Sequence, residues 1–321
     1  MNHIVLKTEH LSKHYGTLTA VQNLSLDIFE GEVFGLLGPN GAGKTTSINM
    51  MCGLLKPDSG QVSLQGKLIT DGGADVRRRV GVCPQNIVLW GHLTCLEQLS
   101  FIAEMYGLNS RTARNRSIQV LNDLDLEPQR DRQARHLSGG MQRRLNLALA
   151  LVHDPDILVL DEPEAGLDPQ SRVLIREHLR LLARKKTVVL TTHNMDEAER
   201  MADRVAIIDR GRLLVVDTPE ALKNRLGQGD VIEIKLEMPG QFAAPAGMLK
   251  HVEQVLNRFN AVIALDPTTQ ILQIRLLNAV SHLTAIIDAL VAAGFKPGEV
   301  NLRPNSLEDV FISLTGRMLR D

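Results

Sequence analysis

A chain of 321 residues with 44% apolar and 23% charged residues is long enough for two domains and ordinary in composition for a soluble globular protein. Lys and Arg number 36 against 37 Asp and Glu, a net charge of -1, so no global basic field points to nucleic acid. No apolar run approaches the roughly 18 residues needed to cross a bilayer, and the start of the chain lacks the shape of a signal peptide; the expectation is a cytosolic chain whose membrane role comes through a partner.

Residues 24–28 (Leu-Ser-Leu-Asp-Ile) alternate with period two and predict a strand in an antiparallel flank. After the turn at Glu30-Gly31-Glu32, residues 33–37 read as a buried strand feeding Gly38-Pro39-Asn40-Gly41-Ala42-Gly43-Lys44-Thr45-Thr46. That stretch fits G-x-x-x-x-G-K-[ST], and the preceding strand and the helix predicted over 45–52 supply the context the pattern requires. Its glycines let the backbone N–H groups turn inward, and the helix N-terminus adds partial positive charge, so the stretch is a nucleoside triphosphate site. Lys44 is placed to reach the β- and γ-phosphates, and the Thr45 hydroxyl to take one Mg2+ position.

Further on, residues 56–60 are a turn, 61–64 an alternating strand, and 80–83 a short strand ending at Pro84-Gln85. Cys52, Cys83 and Cys95 have no C-x-x-C spacing and read as small buried residues, not as a metal site or disulfide. From Thr94 the pattern becomes helical: Thr94 and Glu97 form a capping-box pair, with Leu96, Leu99, Ala103 and Tyr106 on one face. A helix over 111–124 carries Arg111, Arg114 and Arg116 on a solvated face. Another opens at Leu137-Ser138-Gly139-Gly140-Met141, with Leu145, Ala148 and Leu149 inward. Residues 157–160 are a continuous apolar strand, as in a parallel sheet covered on both faces, and end in Asp161-Glu162-Pro163. Helix 171–183, strand 187–191, helix 195–201 and two strands around 209–212 complete an open α/β sheet, whose ligands belong at the carboxyl ends of the strands. Residues 231–303 then repeat no earlier pattern and predict βαββαβ, a small ferredoxin-like α+β domain, followed by a helix through residues 307–311.

Asp161 leaves the apolar strand where its carboxylate can face the Mg2+ held by Thr45, and Glu162 can polarise the attacking water. His193, at the carboxyl end of strand 187–191, is positioned as a γ-phosphate sensor. Ser138, Gly139 and Gly140 offer a second anion-binding helix start: a hydroxyl, free N–H groups and no Cβ obstruction.

With these residues in hand, the chain resembles the ATP-binding subunits of ABC transporters over nearly its whole length. Residues 137–141 resemble the family signature, with Met141 where glutamine is commonest. Gln85 resembles the Q-loop glutamine, His193 the switch histidine and residues 165–168 the D-loop, ending in Asp168. Tyr15 falls where the family stacks an aromatic ring on adenine. The resemblance implies ATP and Mg2+ as cofactors, the metal being held by Thr45, Asp161 and Gln85. It implies a homodimer paired head to tail, each ATP lying between one phosphate loop and the partner's signature helix. It also implies a P-loop ATPase domain over 1–226 with a helical subdomain at about 94–153, then a regulatory or dimerisation domain over 227–321.

Within the family, residues 80–85, the helical insert and above all Ser306-Leu307-Glu308-Asp309-Val310-Phe311 resemble the ABC-2 type exporters. That implies a separate ABC-2 type membrane permease as partner, attachment through it to the cytoplasmic face of the inner membrane, and no nucleic acid. Two alternatives remain: an importer ATPase, and a non-transport family member acting on DNA or ribosomes. No sustained heptads separate Lys44 from Ser138, and the chain holds one cassette, which speaks against the latter. Glu164 stands where Thr or Ser is usual and is expected to act on Glu162 or on the D-loop. Trp90 has two readings, core packing or the rim of a groove for a permease helix. The apolar stripe of helix 306–315 likewise reads as a contact between copies or as a cap on its own domain's sheet.

Overall fold

The computed structural model describes residues 3–69, 74–226, 229–237, 245–259, 261–266 and 271–315. They form two compact units that divide between Thr218 and Pro219. Residues 227 and 228, where the sequence places a domain boundary, lie outside the described residues.

The first unit holds two sheets. Strands β1 (Ile4–Tyr15) and β2 (Leu18–Phe29) make a long antiparallel hairpin, and they precede β3 (Val33–Leu37) and helix α1 (Lys44–Met51). Then come β4 (Ser59–Leu64), β5 (Lys67–Leu68), α2 (Ala74–Arg79) and β6 (Val80–Cys83). The flank has the order β2-β1-β4-β5. The helical subdomain comprises α3 (Cys95–Met105), α4 (Ser110–Asp123) and α5 (Gly139–Leu151). Helix α3 starts on the expected capping box: Glu97 N–H donates to Thr94 Oγ1 at 3.1 Å and Thr94 N–H to Glu97 Oε2 at 2.7 Å. The remainder is β7 (Ile157–Asp161), α6 (Pro169–Ala183), β8 (Thr187–Thr192), α7 (Met195–Met201), β9 (Arg204–Asp209) and β10 (Arg212–Asp217). The main sheet runs β10-β9-β3-β8-β7-β6, parallel except for the β9–β10 hairpin.

Every residue of β3, β7 and β8 is buried, because helices and the flank cover both faces of this sheet. One core joins the two sheets: Leu11 and Ile28 of the flank, Phe34 and Val189 of the main sheet, and Ile48 and Met51 of α1 between them. Register then aligns the strand ends. Leu37 pairs with Thr192, Thr191 with Asp161, and Leu160 with Cys83. The phosphate loop, His193, Glu162 and Gln85 therefore all emerge along one edge, at the carboxyl ends of the strands.

The second unit contains α8 (Pro219–Leu226), β11 (Asp230–Glu237), α9 (Pro245–Leu256), β12 (Val262–Leu265), β13 (Ile271–Leu276), α10 (Ala279–Ala292), β14 (Lys296–Arg303) and α11 (Leu307–Thr315). Its antiparallel sheet has the order β12-β13-β11-β14, the ferredoxin-like arrangement that the βαββαβ pattern predicts. Ile232, Ile234, Leu272 and Ile274 of the sheet bury against Val252 and Leu256 of α9 and Ile286 and Leu290 of α10.

Candidate active site

The phosphate loop is held in shape by two glycines that no other residue can replace. A Cβ on Gly38 would strike the Ile208 carbonyl of β9, and Gly43 has φ of 101° with the Ala20 carbonyl of β2 against it. Ala42 is buried and ties the loop to Gly211 by a 2.9 Å backbone bond, while Asn40 and Gly41 face solvent and Pro39 and Thr46 are half-buried. Lys44, 6% exposed, folds over its own loop and donates to Gly38 O at 2.8 Å and Pro39 O at 3.2 Å. Burial lowers its pKa, and the Glu162 carboxylate 3.5 Å away opposes that shift.

Glu162 is the meeting point of the site. Its Oε1 lies 3.1 Å from His193 Nδ1 and 3.5 Å from Lys44 Nζ, and its Oε2 accepts from Gln85 Nε2 at 2.9 Å. A carboxylate only accepts, so His193 carries its proton on Nδ1 and the amide nitrogen of Gln85 faces Glu162. The Gln85 carbonyl oxygen is left outside that bond. Beside this cluster Thr45 Oγ1 donates to Asp161 Oδ2 at 3.0 Å. A hydroxyl and a carboxylate side by side at the loop's exit form an all-oxygen pair of the kind Mg2+ takes.

Thr191 carries a task that the sequence does not single out. Its hydroxyl donates to Asp161 Oδ1 and accepts the Glu162 N–H at 3.0 Å, so one side chain orients both acidic residues. The Thr191-Thr192 pair that closes the apolar run of residues 188–190 is the sequence signal for it. Arg143 is the second omission: it shares the buried face of α5 with Leu147 and Ala150, at spacings of four and seven residues.

Ser138, Gly139, Gly140 and Asp168 form a separate group. Ser138 caps α5, accepting the Met141 N–H at 3.3 Å, and Asp168 caps α6, accepting from Gln170, Ser171 N–H and Ser171 Oγ. A Cβ on Gly140 would displace the Ser171 hydroxyl, whereas Gly139 has open space around it. Among the described residues none of the four bonds to the phosphate loop of its own chain. Tyr15, 51% exposed, closes the β1–β2 hairpin opposite Leu18, two residues from the Ala20 that abuts Gly43.

Trp90 is 45% exposed and stacks edge-to-face on Phe101 at 5.8 Å, so it is not a core residue. It rims a cleft of about 360 Å³ between the main sheet and the helical subdomain, with Leu54, Val82, Val88, Tyr106 and His153. The three cysteines are buried and unpaired, and burial pushes the Cys52 thiol up to about 12 and those of Cys83 and Cys95 to about 11. Among the described residues no helix is long and apolar enough to cross a membrane.

A phosphate loop, a strand-end acid pair and a histidine on one sheet edge define a P-loop ATPase. The comparisons narrow the class. The family model described as ABC transporter matches residues 21–165. The Nod factor export ATP-binding protein I of Ralstonia nicotianae (strain ATCC BAA-1114 / GMI1000) is 41% identical over 320 residues, covering 99% of this chain and 95% of that one. The linearmycin resistance ATP-binding protein of Bacillus subtilis (strain 168) is 36% identical over 325 residues, covering 99% and 100%. Among solved structures, a dimeric ATP-binding cassette in a post-hydrolysis state with ADP and phosphate superimposes with a TM-score of 0.61 at 28% identity, over 66% of this chain and 98% of that one. The chain belongs to the ABC transporter ATP-binding proteins and is an ATPase.

Proposed function

We propose that the chain is the ATP-hydrolysing subunit of an ABC-2 type export system, held on the cytoplasmic face of the inner membrane by a separate permease. The observation that carries the catalytic reading is the convergence of Lys44, Gln85 and His193 on the Glu162 carboxylate. Glu162 orients the attacking water, Lys44 binds the β- and γ-phosphates, and His193 senses the γ-phosphate. Thr45, Asp161 and Gln85 would hold Mg2+, which would supply positive charge against the phosphates. Phosphoryl transfer asks mainly for such positioning and charge.

Two features support a head-to-tail homodimer. Ser138 and Gly139 are exposed at a helix start, away from their own phosphate loop, as a surface serving a partner's nucleotide would be. A cassette similar to this chain is dimeric after hydrolysis. The export direction is supported by relatives named for Nod factor export and linearmycin resistance and by the motif at residues 306–311, and these disfavour the importer alternative. The Trp90 cleft, apolar and open, fits a short helix of the permease, and Gln85, five residues before Trp90, links it to the nucleotide.

The test is Glu162→Gln. It should bind Mg·ATP and turn over at least about a hundredfold slower, about 2.7 kcal/mol of barrier at 1.36 per decade. With hydrolysis blocked, ATP should convert the protein to a dimer on size exclusion. Near-normal turnover would refute the assignment of Glu162.

A further inference from the structure

The backbone that carries Glu162 is in an unusual conformation. Its φ is 47°, left-handed on a non-glycine residue, and it precedes proline, which restricts it further. Such a residue keeps that conformation only where its surroundings leave no alternative. Here Thr191 takes the Glu162 N–H, and the carbonyls on either side of the turn are gathered by one side chain. Arg143, 2% exposed, donates from Nε to Pro163 O at 3.0 Å, from Nη1 to Pro84 O at 3.0 Å and Gln85 O at 2.6 Å, and from Nη2 to Asp161 O at 3.2 Å and Glu162 O at 2.6 Å. A guanidinium has five N–H groups in a rigid fork, and all five have a main-chain carbonyl.

The five carbonyls come from two segments. Pro84 and Gln85 follow β6, and residues 161–163 leave β7. Those segments supply the two side chains that bond each other at 2.9 Å, Gln85 and Glu162. Arg143 itself sits on α5, the helix whose first residues are Gly139 and Gly140. A single buried cation thus ties the signature helix, the Gln85 segment and the Glu162 turn together. With every donor spent on backbone, it has none left for nucleotide or water.

We propose that Arg143 is a positioning residue for hydrolysis: it holds the left-handed turn that aims the Glu162 carboxylate and fixes Gln85 against it. It therefore governs the turnover step and leaves ATP affinity alone. This rests on the reading of Glu162 as the water-orienting group. Lysine offers three donors on a point charge and cannot match a five-carbonyl fork. Glutamine offers two and no charge.

The experiment uses the full-length protein and measures kcat, the dissociation constant of Mg·ATP and the melting temperature. The variants are Arg143→Gln, Arg143→Lys, Glu162→Gln and Arg143→Gln combined with Glu162→Gln. Misplacing a reacting group by an ångström costs about a hundredfold, so Arg143→Gln should lose about that much kcat with the dissociation constant changed by less than about threefold. Arg143→Lys should recover about tenfold of the loss. The double variant should be no slower than Glu162→Gln alone, because Arg143 acts only through that carboxylate; an independent packing defect would multiply the two losses. Should Arg143→Gln fail to fold, Arg143→Lys decides: wild-type kcat overturns the proposal, and reduced kcat at unchanged affinity upholds it. Multiplied losses, or kcat and affinity falling together, also overturn it. Near-normal turnover of Glu162→Gln would instead sink the underlying reading of Glu162.

Discussion

Glu164 follows Glu162 by two residues, and the sequence leaves it acting on Glu162 or on the D-loop. Both its oxygens are taken by Arg176, Nε to Oε1 and Nη2 to Oε2 at 2.6 Å each, and the carboxylate that feels it is Glu197 of α7. Burial, then the charge and hydrogen bonding of Glu164, push the Glu197 carboxyl from 4.5 up to about 7, against the bond donated by Thr192. A carboxyl raised in the folded state stabilises fully below its unfolded pKa, and that contribution is lost as pH climbs through 7. Glu197→Gln keeps the acceptor for Thr192 and removes the ionisation. It should match the wild-type melting temperature at pH 5 and exceed it by about 2–4 °C at pH 8, on the order of 1 kcal/mol for a chain of this size. An equal offset at both pH values would show that Glu197 does not titrate between them.

Helix α11 shows how far a motif can be read without its packing. Residues 306–311 mark the exporter group by resemblance, and the apolar stripe of helix 306–315 leaves contact and cap both open; three of the stripe's four apolar residues are buried within the unit, and Leu314 is exposed. Leu307 and Val310 are fully buried and Phe311 is 3% exposed, α11 packing on α8 within its own unit. Asp309 pins it to the sheet, accepting from Arg303 at 2.6 and 3.1 Å, Arg275 at 2.8 Å and Ser306 Oγ at 2.8 Å. Burial raises the Asp309 pKa, but the Arg303 and Ser306 bonds and the two guanidinium charges outweigh it and bring it below the usual carboxylate range. Asp309→Asn leaves those guanidinium groups facing a neutral amide and should cost the second unit about 3 kcal/mol, the scale for breaking a buried pair. Thermal unfolding should then show that unit melting early while Mg·ATP binding persists; a single unshifted transition would contradict it. Elements with clean periodicity were legible: the strands read at 33–37, 157–160 and 187–191, and the whole βαββαβ order. Strand β1 was not, because register shifts around Thr8, Leu11 and Lys13 and a left-handed His10 break its alternation. The site's residue types were legible from motif spacing, whereas the roles of Thr191 and Arg143 depend on contacts across 29 and 19 residues that no local pattern records.

At the scale of the molecule, the residues assigned to the nucleotide and the C-terminal unit separate along the chain. Every residue assigned to the nucleotide, from Tyr15 to His193, lies before Thr218, and the two cores share no residue. A protein cut after Thr218 should therefore fold and bind Mg·ATP with a dissociation constant within about threefold of the full chain, since its core is intact. The place of the cut matters. Helix α8 buries Leu222 completely and, through the Lys223 carbonyl, accepts a 2.8 Å bond from Asn305. Ending at Leu226 would keep that helix without its partners and expose the leucine, so this longer fragment should be the less soluble of the two. If the C-terminal unit steadies the dimer between turnovers, removing it lowers the effective concentration of one ATPase for the other. Specific activity of the 1–218 fragment should then rise with protein concentration over a range in which the full chain is already flat. Flat activity would remove the dimer-steadying role and leave the ATPase assignment standing. Loss of ATP binding in a folded 1–218 fragment would defeat the division itself, because part of the site would then have to lie beyond Thr218.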